Sequence, residues 1–174
     1  EHHLAGRMAD WPLIVVPEWE YLEAKVRKEL LDYAAGGGSL LLVGPTTAAM
    51  FQKALRVKLV GKAETKPQWL EHDGWLCGMK TLSQRVKLGR GARAFGRLYA
   101  DNEPTGPSEV AASIARYGKG KIAATYLNLG ERYVNAAMAT AREFLAALVR
   151  ELFPKPLVEA NGSHSVDVSV SRIG

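Results

Sequence analysis

The run Leu40-Leu41-Leu42-Val43, closed by Gly44-Pro45 and followed by Thr46-Thr47-Ala48-Ala49, constrains this chain more than any other stretch. Uninterrupted apolar residues do not alternate between core and water, so they suit a strand buried on both faces, as in a parallel sheet covered by helices. Gly44-Pro45 breaks that strand, and the small residues leading to Met50 and Phe51 open a short helix, expected from Thr47 to Leu55. In open α/β sheets, ligands and catalytic groups collect just beyond the carboxyl ends of the strands, which makes Gly44 to Thr47 the place to look for chemistry. Two threonines stand there. A threonine hydroxyl is a weak nucleophile until a neighbouring base takes its proton.

Upstream, Leu13-Ile14-Val15-Val16 is a second compact apolar run, bounded by Pro12 and Pro17, and predicts a short buried strand with Glu18 and Trp19 at its carboxyl end. From Leu22 to Ala35 apolar residues recur at three- and four-residue steps, the period of an amphipathic helix. Gly36-Gly37-Gly38 ends that helix. A phosphate cradle needs its glycines between a strand and the following helix, and this triplet precedes the strand instead. Downstream, Val57 to Val60 predicts a short strand or loop. Gly61 to Leu82, with Pro67, Trp69, Trp75 and Gly78, reads as a long irregular excursion. Within it, His72-Asp73 has the composition of a base and its orienting acid, but Asp73-Gly74 is also ordinary turn chemistry. Alternation then predicts a hairpin of Arg85–Leu88 with Ala92–Tyr99 across Gly89-Arg90-Gly91, with Arg85, Lys87, Arg90, Arg93 and Arg97 as its solvated basic side. A second hairpin is expected between Val110–Tyr117 and Lys121–Tyr126, turned at Gly118-Lys119-Gly120. A helix over 135–153 follows, and Pro154-Lys155-Pro156 stops it.

The 174 residues, 47% hydrophobic and 24% charged, fit one main globular domain. A net charge of +5 raises the question of nucleic acid, but Lys and Arg are interspersed with acids rather than gathered into a patch, so no nucleic-acid partner is expected. No apolar run is long enough to cross a bilayer, and no membrane partner is expected. The single cysteine, Cys77, excludes an internal disulfide and a paired-cysteine metal site; beside Trp75 and Leu76 it reads as a small core residue. His2-His3 has no third ligand spaced to complete a metal site. No metal and no cofactor are predicted. Both ends read as cuts: the chain starts abruptly at Glu1, and Val166 to Ile173 alternates like a strand and then stops. Expected boundaries are therefore an α/β domain over 1–153, lacking a first strand, and a linker with the first strand of a following β domain over 154–174. Asn161-Gly162-Ser163 fits a glycosylation acceptor.

Taken together, Leu13–Glu18, Leu31-Asp32-Tyr33 with the glycine triplet and central strand, and Arg116–Lys121 before the last strand resemble the class I glutamine amidotransferase-like fold. More closely, they are similar to its non-catalytic version, the trimerisation-type domain of β-galactosidases and related multidomain glycoside hydrolases. The resemblance implies a flavodoxin-like three-layer sandwich with a largely parallel sheet and an antiparallel hairpin extension. Active members carry a Gly-X-Cys-X-Gly elbow after the central strand and a His-X-Glu pair after a late strand. Here Gly44-Pro45-Thr46-Thr47-Ala48 puts threonine at the nucleophile, and Leu127-Asn128-Leu129 puts leucines where histidine and glutamate belong. Leucine neither accepts nor orients a proton, so no catalytic residue is predicted in this domain.

Two functional readings follow. In the first, this is an accessory or assembly domain of a larger carbohydrate-processing protein, whose partners are the neighbouring domains of the same polypeptide and, by the resemblance, further copies of itself. In the second, Glu18, Trp19, Thr46, Thr47 and Asn128 form a strand-end pocket for a sugar or similar polar molecule. Against the pocket, Glu18 can cap the helix that follows it and the threonines can satisfy local backbone groups. A glycosidase would need two carboxylates roughly 5 to 9.5 Å apart. Glu18, Glu20, Glu71, Asp73, Asp101, Glu103 and Glu131 are present, but no two of them are both placed at strand ends.

Overall fold

Strand β2 (Ser39–Val43) has all five residues buried, since it lies between two parallel neighbours, β1 (Leu13–Val16) and β7 (Gly120–Thr125). The computed structural model describes residues 6–131 and 138–156. Along β2 the side chains divide by the two-residue period of a strand. Leu40 and Leu42 pack against α1 (Ala24–Gly36), α2 (Pro45–Met50) and α3 (Gln52–Leu55), whereas Leu41 and Val43 pack against α4 (Ala139–Leu152) on the other face. Helices thus cover both faces and divide the core in two. The apolar stripe of α4 (Ala141, Phe144, Leu148, Leu152) is buried, as its spacing requires.

The remaining strands are β3 (Val57–His72), β4 (Trp75–Leu88), β5 (Ala92–Tyr99) and β6 (Ser108–Tyr117), and the sheet order is β1-β2-β7-β6-β5-β3-β4. Two pairings are parallel and four antiparallel. The molecule is therefore a mixed α/β protein, and the expected largely parallel sheet is corrected: parallel character stops at β7. The expected irregular excursion at Gly61 to Leu82 is also corrected. It is one long hairpin, β3–β4, with Asp73 (φ 49°) and Gly74 (φ 80°) as its two-residue turn. Much of the arm from Lys58 to Lys66 is exposed on both faces, so no in-out alternation is written there, and Pro67 and a register break between Val60 and Glu64 disguise the rest.

The expected hairpin of Arg85–Leu88 with Ala92–Tyr99 does not form. These segments are joined by Gly89-Arg90-Gly91, yet β5 pairs with β3 and β6 instead. Short-range alternation identifies a strand and leaves its partner open. The middle of β4 meets the segment after β7: Ser83 bridges Leu127, and Gln84 N–H donates to the Tyr126 carbonyl at 3.0 Å. The sheet therefore curls back on itself and encloses Tyr126 and Leu127. The β6–β7 hairpin forms as the sequence predicts, with Tyr117 opposite Gly120 and Gly118 at φ 58°.

Two of the three glycines in the triplet have a local reason, a left-handed cap at Gly37 and a crowded ring at Gly38, while Gly36 has open space around it. Gly37 (φ 128°) caps α1, with its N–H on the Ala34 carbonyl and that of Gly38 on Tyr33. The Tyr33 ring lies over Gly38, where a Cβ would fall 2.1 Å from it, and its hydroxyl donates to the carbonyls of Trp11 and Ser39. A Cβ on Gly120 would fall 2.0 Å from the Gly38 carbonyl oxygen. The tip of the β6–β7 hairpin is thus seated on the end of α1. Residues 1–5, 132–137 and 157–174, which include the paired histidines, the first residues of the expected last helix, the glycosylation tripeptide and the expected final strand, lie outside the described residues.

Two outcomes are expected. Gly120→Ala meets backbone and costs about 2–3 kcal/mol, whereas Gly36→Ala, with open space around it, is neutral or stabilising by up to about 1 kcal/mol; urea denaturation distinguishes them. Burial raises the Tyr126 phenol from 10.0 to about 12, opposed by its 2.6 Å hydrogen bond with Ser113. A raised folded value favours the protonated native state, so this stabilisation is complete below pH 10 and lost as pH climbs toward about 12. An alkaline titration following tyrosinate absorbance and circular dichroism together should find one tyrosine ionising late, in step with unfolding.

Candidate functional site

The β2–α2 junction is built by a carboxylate brought from β1. Glu18 is half-buried, and its two oxygens accept the Thr46 N–H at 3.0 and 3.1 Å and the Thr47 N–H at 3.1 Å. Free amides at the start of a helix favour negative charge, and the side chain of Glu18 supplies it. Gly44 makes the approach possible: its φ is 111°, and a Cβ there would fall 2.2 Å from the Glu18 carboxylate. The expectation that Glu18 caps the helix following it is corrected. The acid caps α2, some 28 residues on, while Glu23 stands at the N-cap of α1.

Thr47 is fully buried and ties the same two strand ends together. Its hydroxyl accepts the Trp19 N–H at 2.7 Å and donates to the Pro17 carbonyl at 2.9 Å. Thr125, at the end of β7, closes the other side: its hydroxyl accepts the Gly44 N–H at 2.9 Å and donates to the Leu127 carbonyl at 3.1 Å. The sequence does not single out Thr125, since the strand is expected to run on to Tyr126; only the folded register puts Thr125 at the strand end facing Gly44. Thr46, the residue at the nucleophile position, is half-buried, and its hydroxyl has no hydrogen-bond partner among the described residues.

Of the five residues read as a strand-end pocket, the fold unites Glu18, Trp19, Thr46 and Thr47. Trp19 contributes its backbone to the cluster and leaves its side chain 46% exposed. Asn128 is engaged elsewhere. Its side chain accepts the Glu131 N–H at 3.2 Å and donates to the Glu131 carboxylate at 3.1 Å, the pattern of an N-cap at the turn beginning with Leu129. Leu127 and Leu129 are wholly buried. The two positions that the amidotransferase resemblance would give to histidine and glutamate are thus occupied by core leucines, and the Thr46 and Thr47 amides are bonded to Glu18.

His72 and Asp73 come together at 3.4 Å, while Asp73 and Gly74 also form the turn that their composition allows. The tight turn folds the Asp73 side chain back toward the imidazole. His72 stacks on Phe95 at 4.4 Å and meets Phe144 edge-on at 5.4 Å, at the hairpin tip. The basic residues expected along one hairpin side are all exposed, and two of them are paired, Arg85 with Glu109 and Arg93 with Glu151.

With this geometry in hand, comparison with solved structures gives the class of the fold. A GH42 β-galactosidase from G. stearothermophilus superposes with a TM-score of 0.64 at 16% identity, over 87% of this chain and 23% of the enzyme. An α-L-fucosidase isoenzyme 2 from Paenibacillus thiaminolyticus gives 0.63 at 16% identity, over 83% of this chain and 25% of that one. A cytoplasmic protein from Salmonella typhimurium gives 0.63 at 11% identity, over 84% of this chain and 74% of that one. The chain spans about a quarter of the length of the glycoside hydrolases it matches. Its fold is that of a component domain found in such enzymes, and the same fold also makes up most of a much shorter protein. No protein-family model matches the sequence, and no curated protein matches it.

The two threonines should separate cleanly in stability. Thr47→Val keeps the shape but removes both hydroxyl bonds and leaves the Trp19 amide unpaired, at a cost of about 1–3 kcal/mol. Thr46→Val is expected within about 0.5 kcal/mol of the parent chain, and equilibrium denaturation of the two variants checks both values.

Proposed function

We propose that this is a non-catalytic accessory or assembly domain of a larger carbohydrate-processing protein, a glycoside hydrolase in the broad sense. The observation that carries the reading is the state of the β2–α2 junction. A junction able to run acyl transfer needs a nucleophile, a base within reach and free donors for the developing anion. Here the nucleophile position is Thr46, the late segment offers buried leucines, and the donors are held by Glu18. Structural hydrogen bonds have taken over the positions that chemistry would require.

The strand–glycine–helix junction also supports a more specific reading, a degenerate relative of the class I glutamine amidotransferase-like fold. The carbohydrate context draws support from the β-galactosidase and α-L-fucosidase, whose chains contain this fold as about a quarter of their length. Under this reading the catalytic acids lie on another domain, and the neighbouring domains of the polypeptide are the first partners.

Mass spectrometry of the native polypeptide, captured with an antibody to this fragment, tests the proposal. A product well above 19.0 kDa is expected. The parent should cleave aryl glycosides, while the isolated fragment cleaves neither these nor glutamine. A native product of 19.0 kDa, or a fragment activity abolished by Thr46→Ala, would overturn it.

A further inference from the structure

We infer that the domain carries a saccharide-binding cleft between the tip of the β3–β4 hairpin and the flank of α4 that runs through Thr140, Phe144 and Ala147, away from the β2–α2 junction. The cleft encloses about 450 Å³. Its floor is apolar, formed by Leu70, Phe144 and Ala147. A second hollow of about 490 Å³ adjoins it and shares His72, Asp73, Ala147 and Arg150. This size, with an apolar floor and a few polar groups converging on it, is that of a small-molecule site.

The choice of ligand comes from the rim. Trp75 stands at the hairpin tip with 74% of its surface exposed. The turn itself is made by Asp73 and Gly74, so no local geometry requires an indole at the next position. An exposed aromatic plane beside an apolar floor suits the C–H face of a pyranose ring, which is itself apolar. Around it are two guanidiniums, Arg142 and Arg150, and two carboxylates, Asp73 and Glu143. Arg142 pairs with Glu143 at 3.1 Å and Asp73 with His72 at 3.4 Å, whereas the Arg150 side chain has no hydrogen bond or ion pair among the described residues.

Vicinal hydroxyls each donate and accept, so forked donors beside forked acceptors can grip them in pairs. Both carboxylates already have a partner in the rim, so neither calls for a cationic ligand, and the Arg150 fork is left to donate to hydroxyl oxygens. The floor is also preorganised. His72, Phe95 and Phe144 form a ring cluster, with Phe95 and Phe144 5.4 Å apart, and Phe144 lies so close to β5 that a Cβ on Gly96 would come within 2.5 Å of it.

The preference for a sugar over other neutral rings rests on the carbohydrate-processing reading above, and the test separates the two. Methyl β-galactopyranoside, methyl β-mannopyranoside and methyl α-fucopyranoside are titrated into the full chain, followed by amide chemical shifts and tryptophan fluorescence. At least one should bind with a millimolar Kd and shift residues of the hairpin tip and α4. Trp75→Ala, at an exposed position that leaves folding intact, should abolish binding, and Arg150→Ala should weaken it about tenfold. Trp19→Ala, at an exposed tryptophan elsewhere, should leave it unchanged. Silence from all three glycosides, or wild-type binding by folded Trp75→Ala and Arg150→Ala, overturns the cleft. A parent protein inactive on glycosides, with binding here intact, would overturn the accessory-domain reading and leave the cleft standing.

Discussion

Everything in this fold answers to the burial of β2. A strand with five consecutive buried residues has no solvent face, so both sides must be covered and both edges paired. β1 and β7 take the edges, α1 to α3 one face and α4 the other. The tight seating of the β6–β7 turn on the end of α1 follows from the same demand. Gly120 is small because backbone must approach the Gly38 and Ala34 carbonyls there, and Gly38 because the Tyr33 ring lies over it.

The same arrangement decides what happens at the carboxyl end of β2. A helix starting directly after a buried strand leaves unpaired amides in a partly enclosed place, where an unsatisfied group costs about 1–3 kcal/mol. In an active site, donors of that kind are kept for a reacting anion. In this protein Glu18, Thr47 and Thr125 satisfy the junction from inside the chain and tie β1, β2 and β7 into one corner. Each of these bonds joins segments far apart in sequence, so the corner is held by tertiary contacts rather than by local turns.

The antiparallel half is under different constraints. The β3–β4 arm needs no second helical layer, because antiparallel strands tolerate water on a face. It extends from the sheet, curls to meet the segment after β7 and carries its turn out over α4. The hairpin tip is therefore where an exposed indole can stand without cost to the core. The buried parallel half supplies the scaffold, and the antiparallel arm presents the surface.

Patterns confined to one element were legible in the residues. The apolar run at Leu40–Val43, the three- and four-residue steps of α1, the stop at Gly36-Gly37-Gly38 and the turn at Gly118-Lys119 each write their structure locally, through burial period or allowed φ. The apolar character of Leu127 and Leu129 was equally plain, and both are wholly buried. What pairs with what was decided in three dimensions. Arg85–Leu88 is bonded to β3 rather than to the neighbouring β5, and the arm at Gly61 to Leu82 is a hairpin although much of it lacks alternation. Glu18 finds its partners 28 residues away, and the cleft joins residues of β3 and β4 to α4 across half the chain. Local sequence specifies conformation through short-range sterics and hydrophobic period. Long-range pairing depends on which surfaces remain to be covered once the buried strand has taken its neighbours, and only the folded chain settles that.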